Sequence, residues 1–150
     1  MHIPITISRR AIMQLRSLFT AVLAAITINT VLPAAAHEAG EKATPKFNQA
    51  IPNIPGKSLI AVEVNYAPGA ASPSHTHAKS AFIYAYVVSG AIESQVNDGP
   101  KRIYHTGESF HETPGSTHAV SRNASKTQPA KLLAVFVVDT DDKQLVTPVK

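Results

Sequence analysis

The sequence predicts an all-β fold, a small barrel or jelly roll, on three observations. Nearly every segment after residue 57 alternates apolar and polar residues with a period of two, as half-buried strands do. Gly, Pro or Asn interrupts these segments at intervals of about 8–12 residues, which is the spacing of a sandwich or barrel. No segment in this part of the chain shows the helical period.

Residues 1–36 are predicted to be a secretory signal peptide outside this domain. Arg9, Arg10 and Arg16 are followed by the apolar run "LFTAVLAAITINTVL" and by the small residues "AAA". An uncleaved membrane anchor is the alternative, but threonines and an asparagine interrupt the run. "SRRAIM" fits a twin-arginine signal, whereas a start at Met13 would leave an ordinary Sec signal, and both routes stay open.

Without this segment the remaining chain is close to neutral. The 150-residue chain carries 14 Lys and Arg against 10 Asp and Glu, and three of the arginines lie in the first 36 residues. The basic charge of the full chain is therefore not evidence for a nucleic-acid partner, and none is predicted. Cysteine is absent, so the exported domain has no disulfides.

The strands follow in order after an extended leader at residues 37–57. "SLIAVEVNYAPG" places Ile60, Val62, Val64 and Tyr66 on one face. "AFIYAYVVSG" is apolar on both faces, and two of its three aromatic residues are predicted to pack in the core, with the lining of a small-molecule pocket as the alternative; the three are Phe82, Tyr84 and Tyr86. Five further short strands reach residue 140, and residues 141–150 are predicted to be a C-terminal tail.

Two histidines precede the apolar strand at a spacing that suits a metal. On a strand, residues i and i+2 point to the same side, so His75 and His77 present two imidazoles to one point. His118 begins a later strand, and a barrel that brings it beside the pair would complete a three-histidine site. Three neutral nitrogens leave a divalent metal open to water or substrate.

These residues resemble the two motifs of the cupin family. The first motif reads Gly, five residues, His-x-His, three or four residues, Glu, and then Gly; the second reads Gly, five residues, Pro-x-Gly-x-x-His and then Asn. The corresponding residues are Gly69, His75, His77 and Gly90, followed by Gly107, Pro114, Gly115, His118 and Asn123. The separation of Gly107 from His118 matches the family, although the Pro-Gly step is shifted by one residue and Asn123 lies one residue late. The resemblance spans about residues 58–139 and implies a double-stranded β-helix in the domain at 58–140, with a metal inside the barrel.

The glutamate of the first motif is missing, because Ala81 and Phe82 occupy its positions. The absence of this glutamate has three possible consequences. The first is a metal site made of histidines alone, and the second is a site that is inactive or only structural. In the third, Glu112 takes the role of the missing acid as a metal ligand or catalytic proton acceptor, because it alternates with Phe110 and should point inward near His118. His111 should then face outward.

The sequence thus predicts an exported cupin that binds a divalent transition metal (Fe, Mn, Ni, Zn or Cu) and acts on a small molecule. Dioxygenase, isomerase, decarboxylase and lyase chemistry all remain open. A non-catalytic periplasmic module that binds a metal or small ligand is the alternative. The expected location is the periplasm or the exterior, with no membrane contact after cleavage, and a homodimer is expected from the resemblance. Cysteine nucleophiles, phosphate loops and dinucleotide fingerprints are absent, which excludes hydride and phosphoryl transfer.

Overall fold

The computed structural model describes residues 40–150, and the predicted signal peptide lies outside them. In this range the secondary structure is entirely β, which confirms the predicted class. The strands are β1 Glu41–Ala50, β2 Lys57–Tyr66, β3 Ala71–Ser72, β4 His75–His77, β5 Phe82–Ser89, β6 Ala91–Val96, β7 Arg102–His105, β8 Ser109–Glu112, β9 Thr117–Asn123, β10 Ala130–Asp139 and β11 Val146–Pro148. Among the described residues we find no helix of the length and hydropathy needed to span a membrane.

The strands form two antiparallel sheets. One is five-stranded in the order β1-β2-β10-β5-β8, and the other runs β11-β4-β9-β6-β7 with β3 paired to β9. The chain crosses repeatedly between the sheets, since β4 and β5 are consecutive in sequence but belong to different sheets. Residues distant in sequence therefore meet in the interior.

The core follows the period-two alternation of the strands. On β5 the inward residues Ile83, Ala85 and Val87 are completely buried, and Phe136 and Val138 continue this layer on β10. The inward face predicted for β2 is also correct, because Val62 and Val64 pack against the buried clusters and Tyr66 is part of one. Burial of these alternate apolar side chains supplies the main stabilisation of such a sandwich.

The aromatic residues of β5 do not pack in the core as predicted. Phe82 and Tyr84 are 45% and 46% exposed on the outer face of the sheet. The reason is the pairing of β5 with β8, in which Ile83 lies opposite Glu112 and Tyr84 lies opposite the exposed His111. Since paired residues share a face, the inward Glu112 places Ile83 inside and the tyrosine outside.

Both ends of the described chain contribute strands to the sheets. β1 lies within the predicted leader and pairs with β2 along its length. β11 lies within the predicted tail and pairs with β4, where Val146 lies opposite His77. The sheets therefore extend beyond residues 58–140 at both ends.

Candidate metal centre

Two neighbouring strands bring the predicted histidines together. His75 and His77 project from β4, and His118 on β9 is the direct cross-strand partner of His75. The ring centroids of His75 lie 4.8 Å from His77 and 5.3 Å from His118. One ligand atom from each of the three residues lies within 4.8 Å of the others, so this cluster could hold a metal ion.

Hydrogen bonds from the far side of each ring hold the imidazoles in place. The Nδ1 of His75 is 2.7 Å from the carbonyl oxygen of Pro73, and the Nδ1 of His77 is 3.3 Å from that of Leu145. A ring that donates through Nδ1 keeps Nε2 as the lone-pair nitrogen. In His118 the buried Ser94 hydroxyl instead contacts Nε2 at 2.8 Å.

Glu112 joins the histidines from the other sheet. Its side chain is 3% exposed, with Oε2 3.0 Å from the Nε2 of His77 and Oε1 3.3 Å from the Nδ1 of His118. The inward orientation predicted from the alternation with Phe110 is therefore found, and His111 faces outward as predicted. The carboxylate reaches the cluster from β8, beside the strand on which the motif would place its glutamate.

The interior of the site keeps its acid ionised and one imidazole neutral. Burial raises the pKa of Glu112, but the imidazoles of His118 and His77 outweigh that effect and lower the pKa to about 2. Burial lowers the pKa of His75 to about 4, against the opposing hydrogen bond to Pro73. A carboxylate and a neutral imidazole are the protonation states that bind a divalent cation.

Two buried atoms at the centre have no hydrogen-bond partner among the described residues. They are Nε2 of His77 and Oε2 of Glu112, which lie 3.0 Å apart without hydrogen-bond geometry. Buried polar atoms are rarely left without partners, and a coordinated cation would satisfy both of these. Three nitrogens and one oxygen form a set that suits Mn, Fe, Ni, Cu or Zn better than Mg or Ca. The residues present therefore fit a transition metal.

A cavity of about 270 Å³ opens beside the cluster and gives a ligand access to it. Tyr66 lies in its wall, and the Tyr66 hydroxyl contacts the hydroxyls of Ser72 and Ser121 at 2.7 and 2.8 Å. A bulge at Ala119, where Gln95 pairs with Val120 but Val96 pairs with His118, turns both His118 and Ser121 inward. Strand alternation does not predict this hydroxyl cluster. His118 and Ser121 are three residues apart, and an odd spacing normally places two strand residues on opposite faces.

Ser94 is a further site residue that was not predicted. It lies between Ile92 and Val96 on the inward face of β6, and its alternation with these apolar residues is the signal that it is buried. Nothing local indicates its contact with His118, which depends on the pairing of β6 with β9.

The cupin domain model matches residues 62–136. No curated protein matches the sequence significantly. Among solved structures, an uncharacterised conserved protein with a double-stranded β-helix domain from Klebsiella pneumoniae has a TM-score of 0.56 and 18% identity, over 68% of this chain and 80% of that one. The jelly-roll double-stranded β-helix predicted from the sequence is thereby confirmed.

Two enzymes of known name share the fold. A recombinant oxalate oxidase in complex with glycolate has a TM-score of 0.56 and 21% identity, over 76% of this chain and 57% of that one. A structure of DMSP lyases has a TM-score of 0.54 and 17% identity, over 72% of this chain and 53% of that one. The chain therefore spans only a little over half the length of either enzyme, and identities this low show the fold alone.

Proposed function

Because the chain belongs to the cupin family, we propose that it binds a divalent transition metal through His75, His77 and His118 and acts on a small molecule at that centre. The observation that carries the proposal is the pair of buried ligand atoms without hydrogen-bond partners, Nε2 of His77 and Oε2 of Glu112. A buried carboxylate surrounded by imidazoles is costly unless a cation or hydrogen bonds compensate for it.

Glu112 is proposed as the fourth ligand, or as the proton acceptor of the reaction. It supplies the acid that the motif lacks at Ala81 and Phe82, from the strand next to theirs. The low pKa of its carboxyl, about 2, keeps it ionised at neutral pH, which favours the role of ligand, since a proton acceptor works best with a pKa near the operating pH. Iron, manganese, nickel, zinc and copper are all compatible with this ligand set.

The chain's own contribution to the reaction is to bind, orient and enclose the substrate. When bound, the metal supplies Lewis-acid polarisation or, if it is iron, an oxygen-binding centre. The apolar wall of the cavity offers few hydrogen-bond partners to water near the reacting group. In the alternative role of Glu112, Oε2, 3.0 Å from Nε2 of His77, is not a metal ligand and accepts the proton of the substrate. Oxidase and lyase activities, which occur in proteins of like fold, should be assayed first.

A non-catalytic metal- or ligand-binding module is the second candidate. The hydroxyls of Tyr66, Ser72 and Ser121 favour it, because they hydrogen-bond to one another within the cavity wall. Such a wall offers shape and polarity to a ligand without a further group committed to proton transfer. Turnover by the metal-loaded protein would separate the two candidates.

We retain export to the periplasm or the exterior as a proposal that rests on residues 1–36. The basic start, apolar run and small residues of that segment support it. N-terminal sequencing of the protein from a periplasmic fraction should find a mature chain that begins near His37. A mature chain that still begins at Met1 or Met13 would contradict cleavage.

Metal analysis of the purified protein tests the proposed centre. We expect about one transition-metal ion per chain in the wild type, near none in His75→Ala, and a reduced content in Glu112→Gln. His111→Ala is the matched control, because this histidine is exposed on the same strand as Glu112 and should keep its metal. Stoichiometric metal in His75→Ala would remove the proposed ligand set, and unchanged metal in Glu112→Gln would assign Glu112 a structural role.

A further inference from the structure

The cavity beside the histidines has an apolar wall built by the sheet that does not carry them. Val64 pairs with Leu132 and Val62 pairs with Ala134, so alternate residues of β2 and β10 form a continuous surface. Phe136 ends this surface, with its ring centroid 5.8 Å from that of His77. The C-terminal segment adds Leu145, Val146 and Pro148.

The charges that line the cavity can balance only one anionic group on a ligand. Among the described residues of the lining, none is lysine or arginine, and the acids are Glu41 and Glu112. A divalent cation beside the carboxylate of Glu112 leaves one positive charge at the centre for a ligand. Glu41, opposite Tyr66 on β1, adds a negative charge to the lining away from the centre, and this charge repels a second anionic group. A second anionic group would lie against the aliphatic wall without a counter-charge, which is strongly unfavourable.

The size of the cavity adds a second limit. Its volume of about 270 Å³ lies just below the roughly 300–1,000 Å³ of sites that enclose drug-sized ligands. Apart from the carboxylate of Glu41, the polar groups away from the centre, on Tyr66, Ser72 and Ser121, are uncharged hydroxyls that already bond to one another. They tolerate an uncharged end of a ligand and provide no charge for an ionic one.

We propose that the substrate or ligand of this centre is a small molecule with a single anionic, metal-binding head group and an apolar, uncharged body. The head group occupies the side of His75, His77 and His118, and the body lies along the wall of β2 and β10. Ligands whose second anionic group would reach the aliphatic wall, such as the longer dicarboxylates, are excluded from the class. This inference rests on the proposed metal centre and specifies what it binds.

Carboxylate probes of graded length test the proposal on protein loaded with Co²⁺, whose visible absorption reports ligand binding. From acetate to butyrate to hexanoate, we expect the affinity to rise about threefold to fourfold per added methylene, as apolar burial predicts. Adipate has the six carbons of hexanoate with a second carboxylate, and we expect it to bind about tenfold more weakly or worse.

A positive charge placed in the wall should reduce or abolish this preference for hexanoate over adipate. In Val64→Lys the affinity ratio of adipate to hexanoate should rise about tenfold, because the second carboxylate gains a partner. Asn65→Lys is the matched control, since it adds the same charge on the outer face of β2 and should leave the ratio unchanged. If Val64→Lys does not fold, Val64→Ala replaces it and should weaken hexanoate binding more than acetate binding.

The outcomes separate this inference from the proposed function. Failure of the wild type to take up Co²⁺ in stoichiometric amount would overturn both. A loaded protein that shows no dependence on chain length, that binds adipate as well as hexanoate, or that binds no monocarboxylate would overturn the inference and leave the metal centre standing.

Discussion

At the scale of single residues, each imidazole of the centre is oriented by a bond on its far side. His75 and His77 bond to backbone carbonyls, whereas His118 depends on the side chain of Ser94. Such outer partners set the tautomer and the direction of the ligand nitrogen, and their loss usually weakens metal binding about 10- to 100-fold. Ser94 is therefore the orienting group that a point mutation can remove.

We expect Ser94→Ala to lower metal affinity about 10-fold or more while the protein stays folded. The matched control is Ser116→Ala, because Ser116 is as buried as Ser94 but its hydroxyl has no hydrogen-bond partner among the described residues. A competition titration with a chromophoric chelator measures both affinities. Equal affinity in the two variants would contradict an orienting role for Ser94.

Deprotonation of the buried Tyr66 should lower the free energy of unfolding at high pH. Burial raises the pKa of Tyr66 to about 12, and its hydrogen bonds to Ser121 and Ser72 offset this only in part. Since the unfolded-state pKa is about 10, the native state holds the proton more tightly. This contribution, roughly 3 kcal/mol for two pKa units, is complete below about pH 10 and is lost as the pH rises to about 12.

Tyr66→Phe removes the titrating group and tests this. The quantity compared is the free energy of unfolding in urea of the wild type minus that of the variant. This difference should be larger at about pH 9 than at about pH 12, by roughly 2–3 kcal/mol. Circular dichroism at both pH values provides the measurement. A difference between the two proteins that does not change with pH would show that Tyr66 does not couple folding to deprotonation.

At the scale of the strands, pairing decides which predicted residues meet. The motif places its acid on the strand after the histidines, but here the inward position of β5 is Ile83 and the acid is its cross-strand partner, Glu112. The carboxylate therefore projects from the adjacent strand, β8, and it contacts His77 and His118 from there. A carboxylate on a neighbouring strand can therefore lie beside the histidines when the motif residue is missing.

The turn between β5 and β6 should not tolerate a side chain at Gly90. Its φ is 76°, and a Cβ there would lie 2.7 Å from the carbonyl oxygen of Pro129. Gly107 has a φ of 91° but open space around it, so Gly107→Ala adds only backbone strain, about 1–2 kcal/mol. We expect Gly90→Ala to cost roughly twice as much, measured by urea unfolding. Equal losses would show that the contact with Pro129 relaxes freely.

At the scale of the whole described domain, the outer face of the five-stranded sheet carries several exposed apolar residues. Phe47, Phe82 and Tyr84 are each nearly half exposed there, and the pairing places Ala61 and Val135 between them. The three rings alone expose roughly 300 Å². Other apolar residues on this face increase the exposed apolar area. A standard interface buries ~800 Å² per partner.

The charged residues of this face partly compensate one another. Glu63 contacts Lys46 at 3.5 Å and Lys131 at 3.3 Å, which leaves a single net positive charge in this group. We therefore propose that the expected homodimer forms through this face, in an isologous contact.

We expect the wild type to sediment as a dimer at micromolar concentration, and Tyr84→Glu to weaken the dimer about 10-fold or more, because it places a charge within the interface. Ile103→Glu is the control, since Ile103 is 53% exposed on β7 of the other sheet and should leave the dimer intact. Analytical ultracentrifugation measures all three. A monomeric wild type, or a dimer lost in the control alone, would contradict this contact.

Much of the fold and part of the centre could be predicted from local pattern. Period-two alternation predicted the all-β class and the inward face of β2, and it also predicted that Glu112 would point inward. The same rule failed on β5, where both faces are apolar and alternation cannot choose between Tyr84 and Ile83. Pairing with β8 makes that choice.

The sequence by itself determined which residue types could bind a metal and which side of each strand they occupy, because side-chain direction along a strand is a local property. Only the tertiary structure decided that His118 lies opposite His75, that Glu112 reaches the histidines from the opposite sheet, and that the bulge at Ala119 brings Ser121 into the cavity. Register and bulges depend on partners distant in the chain, so no short stretch of sequence encodes them.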